Sequence, residues 1–268
     1  MTDLELRGVS VEYVMKRTQM PVQAVCDVSF NVPTGSFATI VGPSGCGKTT
    51  ILNVVCGLTP TTVGRVLLDG ESLTGPGKDR ALVFQSPSLM PWRTVVHNVT
   101  FGLEIEGVPP SEARERARHY VRLLGLEGFE ESYPSEVSEG MRQRVNLARA
   151  LATEPKLLLL DEPFAALDAQ TREYMQVELE SIWRLTGKTA LLVTHNISEA
   201  IFLGDCVIVL SARPGMVKAI LQVDFPRPRP LHVKRSPAFN EIEDRVWRML
   251  QDEASSTGMI VRTTEGGG

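Results

Sequence analysis

Gly42-Pro43-Ser44-Gly45-Cys46-Gly47-Lys48-Thr49 is the stretch that decides how this chain folds. It fits GxxxxGK[ST], follows the apolar run Phe37–Val41 and precedes a helical pattern over Thr50–Cys56. A strand, a glycine-rich turn and a helix in that order make a cradle for phosphate. The glycines let backbone N–H groups converge on phosphate oxygens with no Cβ in the way, and the following helix points its positive end at the anion. Lys48 adds a full charge near the β and γ phosphates, and the Thr49 hydroxyl is a ligand for Mg²⁺. The expected nucleotide contacts are therefore the whole loop, Gly42, Pro43, Ser44, Gly45, Cys46, Gly47, Lys48 and Thr49, with Thr50 after it. Chance alone produces the pattern in roughly 1% of chains of this length at average residue usage.

Around this loop the chain reads as ordinary globular protein. Its 268 residues are 43% hydrophobic and 22% charged, enough for one large domain or one domain with an inserted lobe. The formal net charge of −4 lacks the basic footprint of a nucleic-acid binder. No charged and apolar leader opens the sequence, and the longest apolar run, near Leu157–Leu160, is strand-sized, so neither a signal peptide nor a membrane helix is expected. Cys26, Cys46, Cys56 and Cys206 form no CxxC pair and have no histidine at ligand spacing, which predicts reduced thiols.

Short strands and turns fill the first third: Val9–Tyr13, Val25–Val32, Phe37–Val41, then Arg65–Leu68 and Arg80–Phe84 around a turn-rich stretch with Asp69-Gly70 and Gly75-Pro76-Gly77. From Gln85 to Pro155 the period becomes helical. Ser111 is expected to cap a helix with Ala113, Ala117, Val121 and Leu124 on one face, ended by Gly125, and Ser138 to begin another with Met141, Val145, Ala148 and Leu151 on its stripe. Lys156–Asp161 reads as a parallel strand buried on both faces. Asp168 is placed to cap a helix reaching Thr186 and stopped by Gly187, and Thr189–Thr194 is a further buried strand. After Phe225, alternating Pro226, Arg227, Pro228, Arg229 and Pro230 suggest an extended connector, followed by an amphipathic helix over Ala238–Glu253 and a loose glycine-rich end.

Two acids at a buried strand end narrow the chemistry. Asp161 is placed beside the metal, where a carboxylate orients Mg²⁺. Glu162 faces the other way and is placed to polarise a water for attack on the γ-phosphate. That pairing suits hydrolysis better than transfer to a bound substrate. His195 leaves a strand expected to neighbour that of Asp161, within reach of the γ-phosphate, although a lone histidine after a strand is more often a packing or surface residue. Gln85, at the end of Arg80–Phe84, is similarly placed to reach Mg²⁺ or water.

In order and spacing, the loop at 42–49, Gln85, Val137-Ser138-Glu139-Gly140-Met141, Leu157–Asp161 with Glu162, Ala166-Leu167-Asp168 and His195 resemble the ATP-binding subunits of ABC transporters, from about Leu4 to Pro226. The resemblance implies an α/β fold: a P-loop NTPase (RecA-like) core with an N-terminal antiparallel β-subdomain and an inserted α-helical subdomain. On that plan residues 1–85 are core and β-subdomain with the Walker A loop, 86–155 the helical subdomain with the signature motif, 156–225 core with Walker B, D-loop and switch histidine, and 226–268 an appendage. It implies ATP and Mg²⁺ as cofactors, Lys48, Gln85, Glu162 and His195 as catalytic groups, and Thr49, Gln85 and Asp161 around the metal. Tyr13 matches the aromatic that stacks on adenine. Ser138 and Gly140 match the signature residues that contact the γ-phosphate held by the opposite subunit, so two chains sandwich two nucleotides head to tail. Glu139 departs from the usual glycine and puts a carboxylate near that helix start, mildly stabilising for the helix but of the wrong sign for a γ-phosphate; the side chain is expected to turn to solvent or to weaken the composite site.

The segment Phe84–Trp92, the run Gly140–Val145, Ala212-Arg213-Pro214-Gly215 and the tail with Ser236-Pro237 and Val246-Trp247 resemble the nitrate, sulfonate, taurine and bicarbonate importer group. That implies membrane permease subunits as partners, a second ATPase subunit (a copy or a paralogue), a solute-binding protein acting indirectly, no nucleic acid, and a peripheral place on the cytoplasmic face of the inner membrane. Leu89, Met90 and Trp92 are apolar enough to anchor a permease helix, or equally to fill the lobe core. Lipid and metal-chelate transporters share several of these motifs. A soluble ABC ATPase working on ribosomes or DNA would instead show two cassettes or a long coiled-coil insert and a basic face, and a P-loop small-molecule kinase is disfavoured by Ser138, Glu162 and His195 together.

Overall fold

The computed structural model describes residues 3–15 and 19–256. It begins with two antiparallel strands, β1 (Leu4–Val14) and β2 (Pro21–Val32), followed by β3 (Phe37–Val41) and helix α1 (Lys48–Cys56). Strands β4 (Val63–Leu68), β5 (Glu71–Ser72) and β6 (Arg80–Val83) lead into a helical lobe of α2 (Val95–Ile105), α3 (Pro110–Leu123) and α4 (Glu139–Ala152). The chain then returns through β7 (Leu157–Asp161), α5 (Ala169–Thr186), β8 (Thr189–Val193), α6 (Ile197–Leu203), β9 (Cys206–Leu210), β10 (Val217–Gln222) and α7 (Pro237–Ser256). The β1 strand is longer than the Val9–Tyr13 expected, and the expected glycine-rich end lies outside the described residues.

A six-stranded sheet ordered β10-β9-β3-β8-β7-β6 forms the centre, and all its pairs are parallel except β9 with β10. Its strands read as unbroken apolar runs because both faces are covered. Leu158 and Leu160 of β7, with Ala190 and Leu192 of β8, enter the core shared with the helical lobe and α5–α7. The alternate residues Leu157, Leu159, Leu191 and Val193 enter a second core with α1 and the four-stranded sheet β2-β1-β4-β5. A period of two thus sends each strand's side chains into two separate cores. Truncating one such fully buried leucine to alanine costs about 2–5 kcal/mol.

Ser138 and Asp168 cap their helices as expected: Ser138 Oγ accepts from the Met141 N–H at 3.3 Å, and Asp168 Oδ1 from Gln170 and Thr171 at 3.1 and 3.0 Å. Gly187 ends α5 at φ 61°. Ser111, in contrast, lies inside α3, which starts at Pro110 with Pro109 in the cap position. Proline's fixed φ and missing N–H suit the first helical position, so the Pro109-Pro110 pair sets the start and Ser111 is left in the first turn.

The segment after Phe225 is extended, as expected, and it is packed onto the core. Arg229 is 2% exposed, and its Nη1 donates to the carbonyls of Ile201, Phe202 and Gly204 at 3.1, 2.9 and 2.7 Å, closing the end of α6. Burial pulls its pKa down to about 10, so it stays charged at neutral pH, a cation at the negative end of a helix. Arg227 lies 4.3 Å above the Trp183 ring and pairs with Asp205 at 2.7 Å. Phe239 and Val246 of α7 are wholly buried in the helical-side core. No helix among the described residues is long and apolar enough to cross a membrane.

Candidate functional site

The end of β3 and the start of α1 build the phosphate loop. Gly45 and Gly47 take φ values of 74° and 99°, and a Cβ on Gly47 would sit 2.4 Å from the Val25 side chain. Only glycine reconciles that backbone with the close approach of β2. No side chain caps α1 and no acid lies in its first turn, so its N–H groups face the loop. Lys48 is 7% exposed, and its ammonium donates to the Gly42 and Pro43 carbonyls at 2.8 and 3.1 Å.

Beside this loop lies a cavity of about 440 Å³ lined by Tyr13, Val22, Ala24, Ser44, Gly45, Gly47, Lys48, Thr49, Thr50, Glu162, His195 and Arg213. Chain segments separated by more than a hundred residues thus meet around one space. The Tyr13 hydroxyl lies 3.4 Å from the Thr50 hydroxyl, at one end of it. A buried ammonium, an uncapped helix start and a tight glycine backbone fit an anion such as a nucleotide phosphate.

The two acids diverge as the sequence suggested. Asp161, last in β7, accepts from the Thr49 hydroxyl at 3.3 Å; burial raises its pKa, opposed by that hydrogen bond and by Lys48. These two oxygens are the kind of hard donors that hold Mg²⁺ together with nucleotide phosphates. Glu162 adopts φ 43°, in the left-handed region, its N–H donating to the Val193 carbonyl at 2.9 Å. That turn swings its carboxylate to 2.8 Å from His195 Nδ1. A non-glycine residue held there is conformational strain of about 1–3 kcal/mol, stored where the chemistry would occur. Parallel pairing of β7 with β8, Asp161 opposite Val193, brings the acid pair and the histidine together.

Gln85, Ser138 and Gly140 lie away from the cavity. Gln85 is exposed, beyond the end of β6, and is not among the cavity's lining residues. Its segment is fastened to α4: Asn146 Nδ2 donates to the Phe84 carbonyl at 3.3 Å, and Arg149 donates to the Ser88 and Pro87 carbonyls at 3.0 Å each. Ser138 and Gly140 line a different concavity of about 270 Å³, with Thr171 and Tyr174. One chain therefore carries the loop and the capped helix start at two separate places. Cys46 is buried with its backbone pressed on Gly215 and does not line the cavity, and neither Gly42 nor Pro43 does.

Glu139 neither projects free into solvent nor stays uncompensated. Its Oε2 accepts from Arg142 Nε at 2.8 Å, one helical turn on. The pair places a positive charge beside the wrong-sign carboxylate at this helix start. Glu139→Gly is therefore expected to raise steady-state ATPase turnover by less than about fivefold, the helix-terminus charge effect of 0.3–1 kcal/mol; a gain beyond tenfold would show that Arg142 does not compensate.

Among the three apolar residues after Gln85, Leu89 packs on the helical-side core and Met90 is half-buried, whereas Trp92 is 74% exposed. The loop is shaped by Asn98, fully buried, which accepts from the Met90 N–H at 2.9 Å and donates to the Arg93 carbonyl at 2.9 Å. Asn98 gave no signal in the sequence, since one polar residue in an apolar helix reads as noise. Arg213 was legible only as part of a motif, and the 211–216 loop's place beside the cavity depends on β9 pairing with β3.

The ABC transporter family model matches residues 25–165. An uncharacterised ABC transporter ATP-binding protein of Methanocaldococcus jannaschii, MJ0412, is 50% identical over 232 residues, 87% of this chain and 86% of its own. A taurine import ATP-binding protein, TauB, of Burkholderia pseudomallei is 46% identical over 259 residues, 94% of this chain and 98% of its own. Among solved structures, the dimeric post-hydrolysis state of the ATP-binding cassette MJ0796, bound to ADP and Pi, superposes with a TM-score of 0.72 at 31% identity, covering 83% of this chain and all of that one. With the loop, the acid pair and the capped helix placed as described, this chain belongs to the ABC transporter family, as an ATP-binding and ATP-hydrolysing subunit.

Proposed function

We propose that the chain energises an importer of a small anionic solute of the taurine, sulfonate, nitrate or bicarbonate type. The observation that carries the mechanism is the separation of the Lys48 cavity from the Ser138–Gly140 concavity: each needs a facing partner, and a second ATPase subunit brought head to tail supplies it. ATP bound with Mg²⁺ is gripped by Lys48 and the loop N–H groups, with Tyr13 against the adenine. Thr49 and Asp161 would hold the metal, with Gln85 as a further ligand, and the metal would neutralise charge on the phosphates. Ser138 and Gly140 of the second subunit close over the γ-phosphate, Glu162 takes a proton from the lytic water, and His195 orients Glu162. Product release reopens the pair and resets the membrane subunits between their two access states.

The extensive likeness to taurine import subunits supports the solute class, and exposed Trp92 on its braced loop supports docking to integral permease subunits at the cytoplasmic face. The solute-binding protein acts through those permeases. The test is reconstitution with permease subunits and a solute-binding protein of the taurine-import type: taurine, another sulfonate, nitrate or bicarbonate should stimulate ATP hydrolysis and be taken up. Stimulation only by a lipid or a metal chelate would reject the solute class. In the same system Lys48→Ala should weaken ATP binding by about tenfold or more, because a charged, desolvated phosphate contact is lost; calorimetry showing unchanged affinity would count against the loop as the phosphate grip.

A further inference from the structure

Arg213 stands on the loop between β9 and β10, and that loop is wedged against the phosphate loop. The Gly215 N–H donates to the Ala24 carbonyl at 3.0 Å, and its carbonyl accepts from the Cys26 N–H at 2.9 Å. A Cβ on Gly215 would lie 2.0 Å from the Cys46 carbonyl, so no other residue fits there without moving the phosphate loop. Ser211 closes the turn, its Oγ donating to the Pro214 carbonyl at 3.1 Å and accepting from the Met216 N–H at 3.0 Å. The loop is thus a fixed platform joining β2 and the phosphate loop.

From this platform the Arg213 side chain reaches the rim of the cavity that Lys48, Thr49 and Tyr13 share. Its Nε donates to the Gly45 carbonyl at a long 3.4 Å, and among the described residues no carboxylate pairs with it. The contrast with Arg229 is instructive. That arginine is 2% exposed and spends its donors on backbone carbonyls, as a structural guanidinium does. Arg213 is exposed and makes one weak bond, leaving most of its donor fork facing a cavity already shaped for phosphate. A planar guanidinium presents paired N–H groups that match two phosphate oxygens, a geometry an ammonium lacks.

We infer that Arg213 is a second cation on the bound nucleotide, gripping the phosphate chain of a nucleoside di- or triphosphate in addition to Lys48. This rests on the nucleotide reading of the cavity and adds a residue to it. The experiment is calorimetric titration of the full chain with ADP, Mg-ATP and adenosine, for wild type, Arg213→Ala and Arg213→Lys, at low and high salt. Expected is a loss of roughly five- to thirtyfold in ADP and ATP affinity for Arg213→Ala, with adenosine affinity unchanged, a shallower salt dependence and partial recovery in Arg213→Lys. Unchanged adenosine binding also reports that the variant is folded. ADP and ATP affinities within twofold of wild type would overturn the inference. So would an equal loss for adenosine, which would mean a packing role, or a loss confined to ATP-driven dimerisation, which would place the guanidinium on a partner chain. If wild type itself bound none of the three, the nucleotide reading would fall first.

Discussion

Glu162→Gln is expected to bind ATP at least as tightly as wild type while hydrolysing it about 10²–10⁴-fold more slowly, the contribution of a positioned general base. The reasoning starts from where the side chain is held. Its carboxylate stands on the cavity wall 2.8 Å from His195 and takes no part in the phosphate loop, where the proposed grip is that of Lys48 and backbone N–H groups. An amide of the same shape keeps contact with His195 but cannot take a proton from water. It also removes a negative charge from the vicinity of the γ-phosphate, so binding should tighten slightly. The variant should accumulate as an ATP-bound dimer in size-exclusion chromatography with nucleotide quantified in the peak. Phosphate release within tenfold of wild type would remove Glu162 from the role of base.

Arg229→Ala, far from the cavity, should lower stability by about 3–5 kcal/mol, as expected when a buried charged partner is deleted. The guanidinium fills the end of α6 and also donates to the carbonyls of Val223 and Phe225, so its loss leaves several buried acceptors unpaired at once. With roughly 2–4 °C per kcal/mol for a chain of this size, the thermal midpoint should fall by about 6–20 °C. Arg229→Lys should recover only part of this, because an ammonium cannot spread its donors over the same carbonyls. A midpoint shift below about 3 °C for the alanine variant would mean that water replaces the side chain without penalty.

What the sequence made legible was whatever rests on local spacing. The GxxxxGK[ST] pattern located the loop and α1, the Leu157–Asp161 run located β7 and the acid pair, and Ser138 and Asp168 marked their helices, because each signal lies within a few residues of its consequence. Ser111 failed as a cap because the proline before it exerts a stronger local constraint. Helix α2 went unnamed because Val95, Val96, Val99 and Thr100 are β-branched, and only packing against α4 makes a helix of them. The buried state of Arg229 was equally hidden. A Pro-Arg alternation reads as an extended connector, and nothing nearby in sequence announces that three of the carbonyls it satisfies lie more than twenty residues upstream. Glu162's left-handed backbone and the place of Arg213 likewise follow from strand pairing across the sheet, which no window of sequence contains.

Helix α6 is only the stretch Ile197–Leu203, roughly 10 Å of rod at 1.5 Å per residue. It begins just after His195, on the cavity wall, and ends on Arg229, so this one short helix joins the cavity to the carboxy-terminal segment. A short helix has no slack to take up a displacement. A displacement of the segment carrying Arg229 would therefore be expected to reach the residues just before α6, His195 among them.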